Sequence, residues 1–421
     1  MTKQSGMNLK KIIVLLSKWI LICALIGFLS GSASAFFLVA LQWATDYRIA
    51  NHWIIIFLPI GGLLIGLSYY YWGQDVVKGN NLLLEEYHHP QKKIPLKMAP
   101  LVFFGTIITH LFGGSAGREG TAVQMGGAIA DQFKKIFNLT NNDRKTLMIL
   151  GISAGFASVF GTPLTGAIFA IEVLFFSKIN YKAIPFSFMV AYIAYYTVEI
   201  WQVKHTSYHI PFVPEISLSL ILYTIIVGLL FGFAALLFSR GTHFWSNLFK
   251  KYISYPPLRP VVGGIILALT FWFLPLLKFE GLGIPTIVES FSNTSDWSTF
   301  LLKILLTTFT LGAGFKGGEV TPLFFIGATL GSALSLVIPL PMALLAGMGF
   351  VAVFSGATHT PIACTVMGLE LFGLECGIFV GIACVIAYFA SGSVGIYESQ
   401  IVKGPKFHFY KKIRRNELKN L

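Results

Sequence analysis

Apolar residues run through this chain in stretches too long for a water-soluble fold. Residues 12–43, 53–72, 98–117, 146–177, 216–239, 261–277 and 320–369 are almost continuously hydrophobic. A single helix crosses a hydrocarbon core of about 30 Å with about 20 residues. The stretches at 146–177 and 320–369 therefore predict two or more shorter helices each, broken at glycine and proline. The first stretch is longer than a secretory leader and has no small-residue cleavage site, so it is expected to stay in the mature chain.

Composition agrees with this reading. Of 421 residues 55% are hydrophobic and only 12% charged, with a mean hydropathy of +0.72, against roughly a quarter charged in soluble domains. The expectation is an all-α polytopic membrane protein. A net charge of +13 could suggest nucleic acid. The cations instead gather between spans and at the chain ends, as at Lys10 and Lys11, Lys92 and Lys93, Lys134 and Lys135, Arg144 and Lys145, and Lys411 to Arg415. That distribution puts those loops and both termini in the cytoplasm by the positive-inside rule and makes the lipid bilayer, not nucleic acid, the partner. The four cysteines, Cys23, Cys364, Cys376 and Cys384, lie in apolar runs without metal-ligand spacing and read as packing residues.

Two short polar breaks interrupt the apolar background. Between residues 98 and 130 the only charged side chains are Arg118 and Glu119, in Gly117-Arg118-Glu119-Gly120-Thr121. Glu319, in Gly317-Gly318-Glu319-Val320-Thr321-Pro322, precedes a stretch to residue 369 without Asp, Glu, Lys or Arg. An ionisable group at membrane depth is costly, which makes both glutamates functional-site candidates. Each stands where a glycine-rich turn opens an apolar helix, and a helix start offers free N–H groups and positive dipole. The predicted chemistry is anion binding.

The chain also repeats itself. Ala154 to Pro163 resembles Val351 to Pro361, and in both halves a glutamate, Glu172 or Glu370, follows nine residues beyond the proline. Glu119 lies 44 residues before Pro163 and Glu319 lies 42 before Pro361. A glycine turn precedes each candidate glutamate, Gly79-Asn80-Asn81 in one half and Gly281 to Pro285 in the other. Paired, glycine-interrupted helices in two halves point to a transporter site at their interface. One transmembrane domain over 1–421 is expected, with repeats at about 11–205 and 214–397 and a basic cytoplasmic tail at 398–421. Gly27 with Gly31, and Gly228 with Gly232, read as helix-packing pairs. Glu172 and Glu370 read as caps or partners near their helix ends.

These motifs resemble the CLC family of chloride channels and anion/proton antiporters over about residues 19–397. Gly117 to Gly120 matches the family's G-[K/R]-E-G-P, with Thr121 in place of proline. Gly79-Asn80-Asn81 stands where G-S-G-I-P is usual, Gly318 to Pro322 where G-x-F-x-P is usual, and Tyr397 matches the tyrosine at the central anion. The three departures together resemble the fluoride/proton antiporter clade. Val173 stands where chloride/proton exchangers carry an inner proton-transfer glutamate. The resemblance implies a CLC-type fold of two inverted repeats with tilted and broken helices, and a homodimer with one ion path per subunit. It implies Glu119 and Glu319 as gating and proton-transfer groups and Gly79, Asn80, Asn81, Gly120, Val320, Thr321 and Tyr397 as the anion-binding set. Arg118 either lends positive potential to the anion path or snorkels to water.

The implied function is export of cytoplasmic fluoride in exchange for protons, with a chloride/proton exchanger or a passive anion channel as alternatives. No metal, cofactor or enzymatic constellation such as His-Glu-x-x-His is present in the sequence.

Overall fold

A computed structural model describes residues 9–174 and 180–400, together with Lys406 and Tyr410. Most of the tail expected over 398–421 lies outside the described residues. Among the described residues the chain is all helix, with sixteen α-helices and no strand. The first half runs α1 (Leu9–Ala50), α2 (Leu58–Trp72), α3 (Asn80–His88), α4 (Met98–Leu111), α5 (Glu119–Ile136), α6 (Asn141–Phe160), α7 (Pro163–Val173) and α8 (Ile184–Ile200). The second runs α9 (Leu218–Tyr252), α10 (Leu258–Phe273), α11 (Ile284–Glu289), α12 (Trp297–Gly312), α13 (Val320–Leu334), α14 (Met342–Thr358), α15 (Pro361–Phe372) and α16 (Gly377–Ala390).

The long apolar stretches divide where their glycines and prolines fall. Residues 146–177 hold most of α6 and all of α7, separated at Gly161-Thr162-Pro163, where Gly161 takes a left-handed φ of 73°. Pro163 then opens α7, where its fixed φ costs nothing and its missing N–H is not needed. Residues 320–369 hold α13, α14 and most of α15. Among the described residues four segments are long and apolar enough to cross a membrane, Ile13–Ala50, His52–Trp72, Tyr181–Ile200 and Leu218–Tyr252, while the other apolar helices have 10–17 residues. At about 1.5 Å per residue the latter reach about 26 Å at most. The chain is a multi-pass membrane protein, and where a shorter helix ends inside it, as α13 does at the buried Val320, the backbone end must find partners within the fold.

Small residues bring the central helices together. α5 lies on α6 and α13 on α14. At the first contact a Cβ on Gly126 would run into the Gly151 carbonyl, and at the second a Cβ on Gly327 would run into that of Gly349. Without large side chains between them the backbones touch, which is how membrane helices gain packing where lipid supplies no hydrophobic drive. Gly27 and Gly31 fit against Ile193 and Thr197 of α8, and Gly228 and Gly232 against Ile386 and Ala390 of α16, so the packing expected of these pairs is observed. The four cysteines are free and buried.

Arg144 departs from its sequence reading as a loop cation. Its side chain is 4% exposed and donates to both oxygens of Asp131 at 2.6 and 2.8 Å, to Glu86 at 2.9 Å and to the Lys92 carbonyl at 2.7 Å. Glu86 also receives the Gln91 and Lys92 N–H groups, and Asp131 that of Ile94. This buried ionic knot fixes the end of α3 and the following loop to α5 and α6. It thereby sets α3, which carries Asn80, in register with α5, which carries Glu119.

Candidate anion site

The two glycine-framed turns meet. The Gly117 N–H donates to the Gly318 carbonyl at 2.6 Å and the Gly318 N–H returns a bond to Gly117 at 2.7 Å, an antiparallel bridge in an otherwise helical protein. The approach needs glycine on both sides. A Cβ on Gly318 would lie 2.8 Å from the Gly120 nitrogen, and one on Gly117 would lie 2.8 Å from the Gly318 oxygen. Through this bridge the starts of α5 and α13 converge, and with them two sets of unpaired helix N–H groups.

Glu119, the first residue of α5, sends its carboxylate across to the other helix. It accepts the Thr321 N–H at 3.1 Å, the Thr321 hydroxyl, and the Arg118 N–H at 3.1 Å. The residue is 1% exposed. A carboxylate thus occupies the positive start of α13, where a free anion would be stabilised in the same way. The Arg118 side chain is 18% exposed, with its Nε buried, 3.7 Å from a Glu119 oxygen and without a hydrogen bond. Thr121 uses the hydroxyl that replaces the family proline to pair with Thr106 of α4 at 2.6 Å.

Glu319 stands on the other side of the same turn. It is the residue before α13, and its Oε2 is buried without a hydrogen-bond partner, 3.5 Å from where a Gly120 Cβ would be. The Asn80 amide nitrogen approaches that same position to 2.9 Å, and the Asn80 carbonyl oxygen is buried and unpartnered. Gly79 allows this placement by opening α3 with a φ of +57°. Asn80, Glu319 and Tyr397 face a cavity of about 740 Å³, which Glu119 and Thr321 do not reach. One carboxylate therefore closes the helix start while the other opens to the cavity.

Of the remaining residues implied by resemblance, Gly120 and Val320 supply backbone at the two helix starts. Asn81 lines the cavity, but its carbonyl oxygen accepts the Ser399 N–H at 3.0 Å. Its side chain tethers the segment after Tyr397 rather than pointing with Asn80. Gln124 and Lys316 are polar cavity residues with no place in the sequence reading. Gln124 follows Gly120 by one helical turn, which could have marked it as stacked over the site. Lys316 adjoins Gly317-Gly318-Glu319 in the chain.

Glu172 and Glu370 lie elsewhere and exchange roles. Glu172, near the end of α7, accepts the Ile362 and Ala363 N–H groups at 3.0 and 2.7 Å, at the start of α15. Glu370, near the end of α15, accepts those of Leu164 and Thr165, both at 2.8 Å, at the start of α7. Each caps the other's helix, so the capping expectation holds but across the two halves. Val173 is buried.

The family model described as voltage gated chloride channel matches residues 61–392, most of the chain. The chain belongs to the CLC family. It is 46% identical over 399 residues to a chloride/fluoride channel protein of Pseudomonas syringae pv. tomato, covering 93% of this chain and 88% of that one. A solved CLC-type fluoride/proton antiporter superposes with a TM-score of 0.89 at 34% identity, covering 94% of this chain and 99% of that one. The H(+)/Cl(-) exchange transporter ClcA of Vibrio campbellii is more distant, 25% identical over 83% of this chain and 80% of its own length. The CLC fold expected from the motifs is thus present in the molecule.

Proposed function

We propose that this CLC protein is a secondary transporter exporting cytoplasmic fluoride in exchange for protons, with the cavity on its cytoplasmic side. The observation that carries this reading is the position of the Glu119 carboxylate, held at the start of α13 by the Thr321 N–H and hydroxyl. Deprotonated, Glu119 stands in for the anion. Protonated, it loses its attraction to the helix dipole, and the vacated donors are free for fluoride. Proton uptake and anion entry then compete for one set of hydrogen bonds, which couples them.

Glu319 completes the cycle. Its unpartnered oxygen faces Gly120 beside Asn80, and a neutral carboxyl there donates a hydrogen bond to fluoride from the cavity side and serves as a carrier for the proton that moves inward. Fluoride, small and strongly hydrated, needs short donors in place of its water. Asn80, Thr321, the Tyr397 hydroxyl and helix-start N–H groups are of that kind. Similarity to the chloride/fluoride channel protein and to the fluoride/proton antiporter supports the choice of ion. The homodimer with one path per subunit, the plasma-membrane location and cytoplasmic termini belong to the same reading.

The experiment is fluoride and chloride efflux from liposomes containing purified protein, recorded with an ion-selective electrode. Fluoride leaving many times faster than chloride supports the reading. Equal rates return the protein to a chloride-handling CLC.

A further inference from the structure

We infer that Lys316 forms a fluoride-docking subsite in the cavity, one step before the Asn80 and Glu319 site. This rests on the fluoride-export reading and names a residue that it does not use. Lys316 opens the turn Lys316-Gly317-Gly318-Glu319, and its ammonium sits 4.0 Å from the centre of the Tyr69 ring of α2. Among the described residues it makes no hydrogen bond and no ion pair, and Tyr69 is its one cation–π contact. An ammonium inside a membrane protein is ordinarily matched by a carboxylate or by carbonyls. Lys303 of α12 shows the ordinary case, with its ammonium on the Phe279 and Gly281 carbonyls at 3.0 and 2.9 Å. Lys316 has the opposite charge of Glu319 nearby and a ring face beneath it, but no hydrogen bond among the described residues, which leaves its N–H donors to the cavity.

A second polar group lines the same cavity. Gln124 of α5 is 7% exposed, makes no side-chain hydrogen bond among the described residues, and faces the cavity with its carboxamide against Gly79. Its amide is open to the cavity, where water or a ligand completes its hydrogen bonds. Lys316 and Gln124 thus offer N–H donors, and one positive charge, to a cavity also lined by Lys78, Lys250 and Arg259 and by the carboxylates Glu85, Glu319 and Glu398. A small hard anion is the ligand that such a set accepts. A fluoride held there sits one short step from Glu319, the carboxyl proposed to receive it.

The test measures initial fluoride efflux from liposomes against internal fluoride concentration, for wild type, Lys316→Met and Lys316→Arg. Calorimetric titration of the purified proteins with sodium fluoride runs beside it. Lys316→Met should raise the KM for internal fluoride about tenfold, the size of one charge-assisted contact. Maximal rate and the proton count per fluoride should stay within about twofold, and Lys316→Arg should restore most of the affinity. Lys316→Gln provides a second neutral variant if Lys316→Met fails to assemble. An unchanged KM and unchanged calorimetric affinity in a neutral variant that elutes and melts like wild type would overturn the subsite, as would loss of proton coupling with KM intact. Titration reads the subsite without transport. Wild type that binds fluoride through Lys316 yet does not export it overturns the export reading alone.

Discussion

Replacing Glu119 by glutamine keeps the length of the side chain and removes its charge, so it asks directly how strongly the carboxylate competes for the start of α13. The carboxylate accepts three hydrogen bonds, from the Arg118 N–H, the Thr321 N–H and the Thr321 hydroxyl. A bond to an ionised group contributes about 1.5–3 kcal/mol, and a neutral one about 0.5–1.5 kcal/mol. An amide also turns one acceptor into a donor. With each of three bonds weakened by about 1 kcal/mol, glutamine holds the position about 3 kcal/mol less well, roughly a hundredfold. Fluoride then meets a weaker competitor. Calorimetric titration of Glu119→Gln should give a fluoride Kd up to about a hundredfold below that of wild type. In liposomes the variant should move fluoride without protons. Wild-type affinity and wild-type proton coupling in Glu119→Gln would refute the assignment of Glu119 as gate and proton acceptor.

Other substitutions test the neighbouring parts. Glu319→Ala should abolish coupled exchange while the protein elutes from a sizing column like wild type; unchanged exchange would make Glu319 a structural residue. Asn80→Ser should weaken discrimination against chloride by about 1.5–3 kcal/mol, about ten- to a hundredfold, measured as the ratio of fluoride to chloride efflux in one vesicle preparation. An unaltered ratio would take Asn80 out of the selectivity site. Arg144→Met leaves the Asp131 and Glu86 carboxylates buried without their cation and should destabilise the fold by about 3–5 kcal/mol. Thermal unfolding in detergent reads this, and a melting temperature equal to wild type would show that the ionic knot contributes nothing.

The parts of the molecule legible in the sequence are those written in short segments. Gly117 to Thr121 and Gly317 to Pro322 announce two buried carboxylates at helix starts, and Gly161-Thr162-Pro163 announces the break between α6 and α7. What the sequence hides are partnerships formed across distance. Asn81 reads like a second Asn80 until the fold brings Ser399, 318 residues away, onto its carbonyl. Glu172 and Glu370 show that they end helices, but only the packing of α7 on α15 shows that each caps the other. Arg144 sits in a basic loop sequence and becomes buried because Asp131 and Glu86 arrive from other elements. Gln124 and Lys316 carry only a weak local signal, one helical turn from Gly120 and next to Gly317-Gly318-Glu319. Their significance lies in facing a cavity without a partner, which is a property of the assembled helices.

The most direct test of coupled antiport is a proton measurement driven by an anion gradient alone. Liposomes containing the purified protein are loaded with fluoride, set at equal pH inside and out with the voltage clamped by potassium and valinomycin, and diluted into fluoride-free buffer. Coupled exchange through Glu119 and Glu319 predicts that the external solution becomes more alkaline as fluoride leaves, with protons moving inward against the gradient that they create. A chloride gradient of the same size should move few protons. Fluoride efflux with no proton uptake would contradict the account and leave a passive anion path.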